Sequence, residues 1–464
     1  MTIAELARHD TLQLLNLYRT GKLSPVEVMQ TTLDHALAIH GQINALFNIV
    51  ADEAMAAAHA SEERWRKHTP MGRLDGVPVT VKDRVNVAGW PYLHGARPNR
   101  DRPVATEDAP PAARLKAAGA IIFAKTTMPD CGLLGAGVSS AHGITRNPWK
   151  LSANTGGSSA GAGASLAAGL GFSSVGSDIA GSVRLPAGQC GLAALKPTQG
   201  LIPHLAPDIM RSAGPMGRSV TDIATMLTVL AEPDARDCWS LPPSSVTYED
   251  HLDRDVKGLS IGLLLDMGFD PRPAPEVVEV VRAAGRVLES AGAAVTEVPA
   301  PFQHDAYRAI DQILQIRGYA EIQAFAEDRR HEVTEAVRNW CQPAKAFSAL
   351  DYSAMLQDIA RSRAILERCL RPYDYVLAPV LPVVSFPAEA PGVSADVPLR
   401  HANFTAMFNQ TAQPASSVHQ ALIGGLPVGV QVVGKRFDDM GVLQLSRLLE
   451  AARGAVEWPT TPKP

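Results

Sequence analysis

Along the first 70 residues apolar positions recur at helical spacing. Ser24-Pro25-Val26-Glu27 reads as a helix start, because Ser24 can cap, Pro25 suits the first helical position and Glu27 can close a capping box. The alanine-rich run from Ala51 to Arg66 predicts a second helix. His35, His40 and His59 fall on these helices and read as surface or packing residues, since none has a ligand partner at metal spacing. The pattern changes at Leu74. Gly76-Val77-Pro78-Val79-Thr80-Val81-Lys82-Asp83 alternates with period two, as a strand does. Arg114 to Gly119 reads as a helix end closed by glycine, and Ala120 to Lys125 as a buried strand.

Further on, small residues after Ser158 predict a tightly packed helix to about Gly169, followed by a short strand over 171–176. Helices are expected over 221–231, 275–291, 303–330, 350–370, 402–409 and 443–453. Strands are expected at 259–265, 294–298, 375–381 and 428–433. Strand and helix alternate, with no internal repeat and no clean linker. The reading is therefore an α/β fold: a single large domain over 1–464 with a mixed, twisted sheet covered by helices on both faces. Within it, 1–70 form N-terminal helices, 71–230 the catalytic core, 231–370 a variable substrate-side region and 371–464 a C-terminal core segment.

Composition narrows the function classes. Hydrophobic residues make up 46% of the chain and charged residues 19%, enough for a sizeable core. The net charge of −4, without long runs of one sign, argues against nucleic acid or an anionic membrane as partner. Five scattered cysteines without a C-x-x-C pair point to small buried thiols rather than a zinc site or a disulfide framework. No secretory leader pattern and no apolar run of membrane-spanning length is read, so the expected setting is the cytoplasm.

The chemistry gathers between Gly156 and Ala187, where Ser158 and Ser182 stand in glycine-rich surroundings. A serine hydroxyl needs a partner to take its proton. Neither serine sits in a G-x-S-x-G elbow, and no histidine presents an obvious carboxylate partner, so a Ser-His-Asp arrangement is disfavoured. No Lys follows the glycines as a phosphate loop requires, and no apolar strand precedes them as a dinucleotide fingerprint requires. A purely structural glycine turn stays open on local grounds. Lys82, at the end of an apolar strand, is a candidate base if burial keeps it neutral; a lysine at a strand end is otherwise a surface residue.

Taken together, Gly156-Gly157-Ser158-Ser159, Gly161 and Asp178-Ile179-Ala180-Gly181-Ser182-Val183-Arg184 with Pro186 resemble the defining motif of the amidase signature family. Val81-Lys82-Asp83, Leu195-Lys196-Pro197-Thr198, Gly214-Pro215-Met216 and Gly425-Leu426-Pro427-Val428-Gly429-Val430-Gln431 resemble its other segments in order. The resemblance implies a Ser-cisSer-Lys triad, with Ser182 as nucleophile, Ser158 as bridging serine on a cis peptide and Lys82 as base. It also implies an oxyanion hole from the main-chain N–H groups of Ile179, Ala180, Gly181 and Ser182. Asp178, Arg184 and Ser159 read as supporting residues, the first two as a buried polar pair holding the loop. No metal and no cofactor is implied. The expected substrate is a small amide or carbamate with water as co-substrate, and a homodimer is the assembly carried forward.

Ala180 departs from a frequent glycine and is expected to place a methyl group near the acyl pocket, and Thr127 departs from a frequent Asn. Pocket walls are expected from 128–137 and from the variable 233–258, 303–350 and 385–400 segments, while Phe347, Tyr352 and Phe404 read as core or surface residues ahead of a site role. Two other readings stay open: the amidase subunit of a glutamine-dependent amidotransferase, and a catalytically silent binding protein on the same scaffold.

Overall fold

A computed structural model describes residues 1–464. Thirteen strands are formed: β1 Leu46–Phe47, β2 Pro78–Lys82, β3 Ile121–Thr126, β4 Val138–Ser139, β5 Gly143–Ile144, β6 Ser173–Asp178, β7 Ala193–Lys196, β8 Ser212–Gly217, β9 Ser260–Leu263, β10 Ala294–Glu297, β11 Tyr375–Pro379, β12 Ala415–Ile423 and β13 Leu426–Val433. Eleven of them make one sheet in the order β1-β3-β2-β6-β8-β7-β12-β13-β11-β9-β10, while β4 and β5 pair separately. The sheet is mixed. β3-β2-β6 and β11-β9-β10 run parallel, and the strands between them are antiparallel neighbours.

The period-two alternation of β2 decides where the chemistry goes. Val77, Val79 and Val81 join the largest hydrophobic cluster, together with Val175, Leu195 and Val430 from neighbouring strands. Lys82 must then point to the other side, where the glycine-rich segment lies. That side is tightly packed: the helix Ala160–Ala167 is wholly buried. It meets the helix Arg184–Cys190, also wholly buried, within a cluster that includes Ala162, Leu166, Ala187 and Cys190. Only small residues let two helices and a sheet approach so closely. At Gly161 an added Cβ would lie 2.2 Å from Ala45 O.

Most predicted elements lie where the apolar pattern puts them. The helix at Pro25–Ile43 opens with the Ser24 and Glu27 capping box, and the second N-terminal helix covers Ala51–Arg66. Strands β1, β4, β5, β7, β8 and β12 are additional. Ser212-Ala-Gly-Pro-Met-Gly carries residues that strands usually avoid, and its ladder to β7 already ends at Met216, next to Pro215. No helix is long and apolar enough to cross a membrane. The cysteines are all unpaired; Cys131, Cys190 and Cys341 are buried, but Cys238 is exposed, contrary to the expectation of uniformly buried thiols.

Candidate active site

Three segments converge on one site. Lys82 ends β2; Ser158 lies in the turn before the helix Ala160–Ala167; Ser182 lies between β6 and the helix Arg184–Cys190. Ser158 and Ser182 line a narrow cavity together with Met128, Cys131, Leu133, Ile179 and Leu314 among others. The Gly157–Ser158 peptide is cis. Gly157 is required there, since a Cβ would meet the Ala136 N at 2.5 Å.

Lys82 is completely buried. Its Nζ lies 2.8 Å from Ser158 Oγ, 3.2 Å from Ser177 Oγ and 3.3 Å from Ser177 O. Burial and the neighbouring Arg84 and Arg211 charges push its pKa well below that of an ordinary lysine, while Asp178 and Asp83 oppose the shift. Asp83, adjacent in sequence, turns away and accepts the Leu93 and Gly95 N–H groups beside Lys125 and His142. The Ser182 hydroxyl makes no hydrogen bond to the protein and opens into the cavity, so the structure brings both serines to one space without a direct bond between their hydroxyls. The Ser159 N–H donates to Ser182 O at 3.1 Å, which ties the two turns together. The Ser159 hydroxyl itself is buried without a partner and is neither a relay contact nor a structural bond.

The segment from Asp178 to Arg184 is organised by a buried ion pair. Arg184 is fully buried and spends its five N–H groups on five contacts: Asp178 Oδ2 at 3.0 Å, Asp178 Oδ1 at 2.9 Å, Asn409 Oδ1 at 2.6 Å, Gln431 Oε1 at 2.6 Å and Thr405 O at 2.9 Å. Burial alone would raise the Asp178 pKa. The Arg184 charge and the hydrogen bonds from Arg184 and Asn409 outweigh it and hold the carboxyl at about 2. The carboxylate in turn accepts the Gly181 N–H at 2.7 Å and the Val183 N–H at 3.2 Å.

The Gly181 contact corrects the expected oxyanion donors. The Gly181 N–H is committed to Asp178 and is not free for a substrate oxygen. The N–H groups of Ile179, Ala180 and Ser182 have no acceptor in the protein. Gly181 has a different duty: its φ of 122° and the absence of a Cβ, which would lie 2.2 Å from Thr405 Oγ1, allow the turn. Ala180 needs no such freedom and is buried, and it is Ile179 beside it that lines the cavity.

The walls divide similarly. Met128, Cys131, Gly132 and Leu133 come from the expected 128–137 segment, Leu314, Arg317 and Glu321 from 303–350, and Leu399 from 385–400; the 233–258 segment contributes no lining residue. Phe404 is core, Tyr352 is exposed and Phe347 packs at the core edge. Sequence reasoning missed Ser177, Arg84 and Arg211, whose nearness to Lys82 no local spacing reveals. Asn409 and Thr405 were missed for the same reason. Gln431 stood in a quoted motif without a role.

Comparison with known proteins places this geometry in context. A family model described as Amidase matches residues 27–443. The chain is 31% identical to the indoleacetamide hydrolase of Bradyrhizobium diazoefficiens over 94% of its own length and 85% of that protein. It is also 31% identical to a glutamyl-tRNA(Gln) amidotransferase subunit of Symbiobacterium thermophilum, over 94% of each. Among solved structures, a bacterial aryl acylamidase of the amidase signature enzymes superposes with a TM-score of 0.88 at 27% identity, covering 96% of both chains.

Proposed function

The chain belongs to the amidase signature family of amide hydrolases, and from that premise we propose that it cleaves the C–N bond of a small carboxamide through a seryl acyl-enzyme on Ser182. The observation that carries this reading is the buried Lys82 Nζ, 2.8 Å from Ser158 Oγ, at the cavity that Ser182 also lines. A neutral amine has two N–H groups and one lone pair. Ser177 O and Oγ accept the two hydrogens, which leaves the lone pair to take the Ser158 proton.

Ser158 then takes the proton of Ser182 as its Oγ attacks the substrate carbonyl, an approach that closes the gap left between the two hydroxyls in the free protein. The developing oxyanion is met by the N–H groups of Ile179, Ala180 and Ser182; one such donor contributes on the order of 3 kcal/mol. The proton returns through Ser158 to the leaving nitrogen, and water releases the acid by the same route. Carbamates, esters and aryl-acylamides would pass through the same kind of acyl-enzyme. A fluorophosphonate probe tests the reading: a stoichiometric adduct mapped to Ser182 by peptide mass spectrometry is expected, and no labelling would favour a silent binding protein.

A second reading, a component of an amidotransferase, draws on the similarity to the Symbiobacterium protein. The segment after Pro197, Thr-Gln-Gly-Leu-Ile-Pro-His-Leu, lacks the basic, serine-containing continuation expected of such a component, and its Gln199 and His204 are buried. Hydrolysis of simple amides by the isolated chain, with glutamine no better than they are, separates the two.

Two outcomes follow from a lysine that must be neutral. Because its pKa is lowered, activity is expected to fall as pH is lowered through that value and to rise toward the alkaline side. A rate flat down to about pH 5, with chemistry rate-limiting, would remove Lys82 as base. Stability should move the other way in a variant. An unfolded lysine titrates near about 10.4, so below that pH the unfolded chain binds a proton the folded one excludes, and folding is penalised. Lys82→Met is therefore expected to abolish activity while melting at or above wild type at pH 6, with the gap narrowing toward pH 10. A melting temperature well below wild type at pH 6 contradicts the neutral, desolvated amine.

A further inference from the structure

The cavity beside Ser182 holds more positive charge than amide hydrolysis requires. Arg84, Arg211 and Arg317 all line it, against Glu321. Their pairing is unequal. Arg317 is neutralised by Asp208 at 2.5 Å, whereas Arg211 reaches the same carboxylate only at 3.8 Å. The Arg211 side chain is 8% exposed and makes no hydrogen bond to the protein. Arg84 has no ion pair, and its buried Nε is without a partner. His204, also buried, has both ring nitrogens unpartnered. Burial and the charge of Arg84 push Arg211 down to about 9, against the pull of Asp208.

A nearly buried guanidinium with only a long contact to one carboxylate, repelled by a second, partly buried guanidinium that has no ion pair, is costly to maintain. A guanidinium fork matches a carboxylate, and the bond is charge-assisted. We infer that Arg211 and Arg84 recognise a carboxylate carried by the substrate, so that the preferred substrates are amides with a second, anionic end. The neutral aliphatic wall of Met128, Leu133, Ile179 and Leu314 would hold the carbon chain between that end and the scissile carbonyl. This inference rests on the hydrolase reading above and narrows it to a substrate class. The carboxylate can belong to the acyl part, as in the monoamide of a dicarboxylic acid, or to the amine part, as in an N-acyl amino acid.

The test compares kcat/KM for malonamate, succinamate and glutaramate with the neutral primary amides of equal chain length, and for N-acetylglycine with N-acetylglycinamide. One acid series is expected to exceed its neutral partner by about 10- to 100-fold, and which one does so locates the carboxylate. The ratio should collapse toward one in Arg211→Gln and in Arg84→Gln, and recover in part in Arg211→Lys. Using a ratio removes any common effect of these charges on Lys82. Neutral amides preferred in both series, or an acid preference unchanged in both glutamine variants, overturns the proposal. Neutral-amide hydrolysis that disappears in Ser182→Ala upholds the hydrolase reading whatever the ratio. If no amide is cleaved in a Ser182-dependent way, that reading fails, and calorimetric titration of Ser182→Ala protein with succinate and glutarate decides the anion site separately. Saturable binding weakened at least tenfold by Arg211→Gln supports it, and no binding at millimolar concentration overturns it.

Discussion

Ser182→Ala is expected to lower kcat/KM on any amide substrate by about four orders of magnitude or more, leaving a folded protein. The size of the effect follows from the geometry. Ser182 contributes the only hydroxyl that is both open to the cavity and beside the free N–H groups of Ile179, Ala180 and its own residue. Removing it leaves those donors and the substrate walls in place, so binding survives while bond formation does not. Ser158→Ala should also be severe, but for another reason: it separates the Lys82 lone pair from the nucleophile by removing the 2.8 Å contact. Rapid-quench mass spectrometry distinguishes them. Wild type with a slowly deacylating ester should show an acyl adduct on Ser182, Ser158→Ala a much slower-forming adduct on the same residue, and Ser182→Ala none. An adduct of wild-type yield in Ser182→Ala, or retention of full turnover, would move the nucleophile elsewhere.

Arg184→Met is expected to destabilise the protein by about 3–5 kcal/mol, the cost typical of breaking a buried pair by removing one partner. Asp178 would remain fully buried and charged with only Asn409 and two main-chain N–H groups for partners. Asn409, Gln431 and the Thr405 carbonyl would also lose donors. Chemical denaturation at neutral pH measures this. The pH dependence carries a sign. The Asp178 pKa is lowered to about 2, so the stability it contributes is present above the unfolded carboxylate value and is lost as pH falls through its own lowered value. The gap between wild type and Arg184→Met should therefore shrink below about pH 4. Adding Asp178→Asn to Arg184→Met should restore part of the stability, since no buried charge is left unpaired, yet little activity, because the Gly181 and Val183 N–H groups lose the carboxylate that shapes the turn. A single variant within 1 kcal/mol of wild type at pH 7 would mean that Asp178 is protonated or hydrated in its place.

Little of the substrate recognition was legible in the chain. Arg84, Arg211 and Arg317 come from three separate segments with no shared period, and an arginine in a loop carries no mark of the acceptors it lacks. The Gly181 N–H reads as a free donor until Asp178, three residues before it, folds back onto it. Strand β8 escaped notice because glycine and proline are rare in strands, and only its neighbour β6 shows why the sheet accepts them.

The sequence by itself determined the elements whose cause is local. The Ser24 cap, the alternation through Val77 to Val81 that sends Lys82 to the opposite face, and the small residues that let the chain turn at Gly157 and Gly181 are all consequences of side-chain size, period and backbone freedom. Together with the ordered motifs, they were enough to place the chain among amide hydrolases. The tertiary structure alone decided which groups are desolvated together. Whether Lys82 is neutral, whether Arg184 is satisfied and Arg211 is not, and which main-chain N–H groups remain free all depend on what lies across the fold. Electrostatic energy in a buried site is set by distances between segments that the order of residues along the chain does not contain.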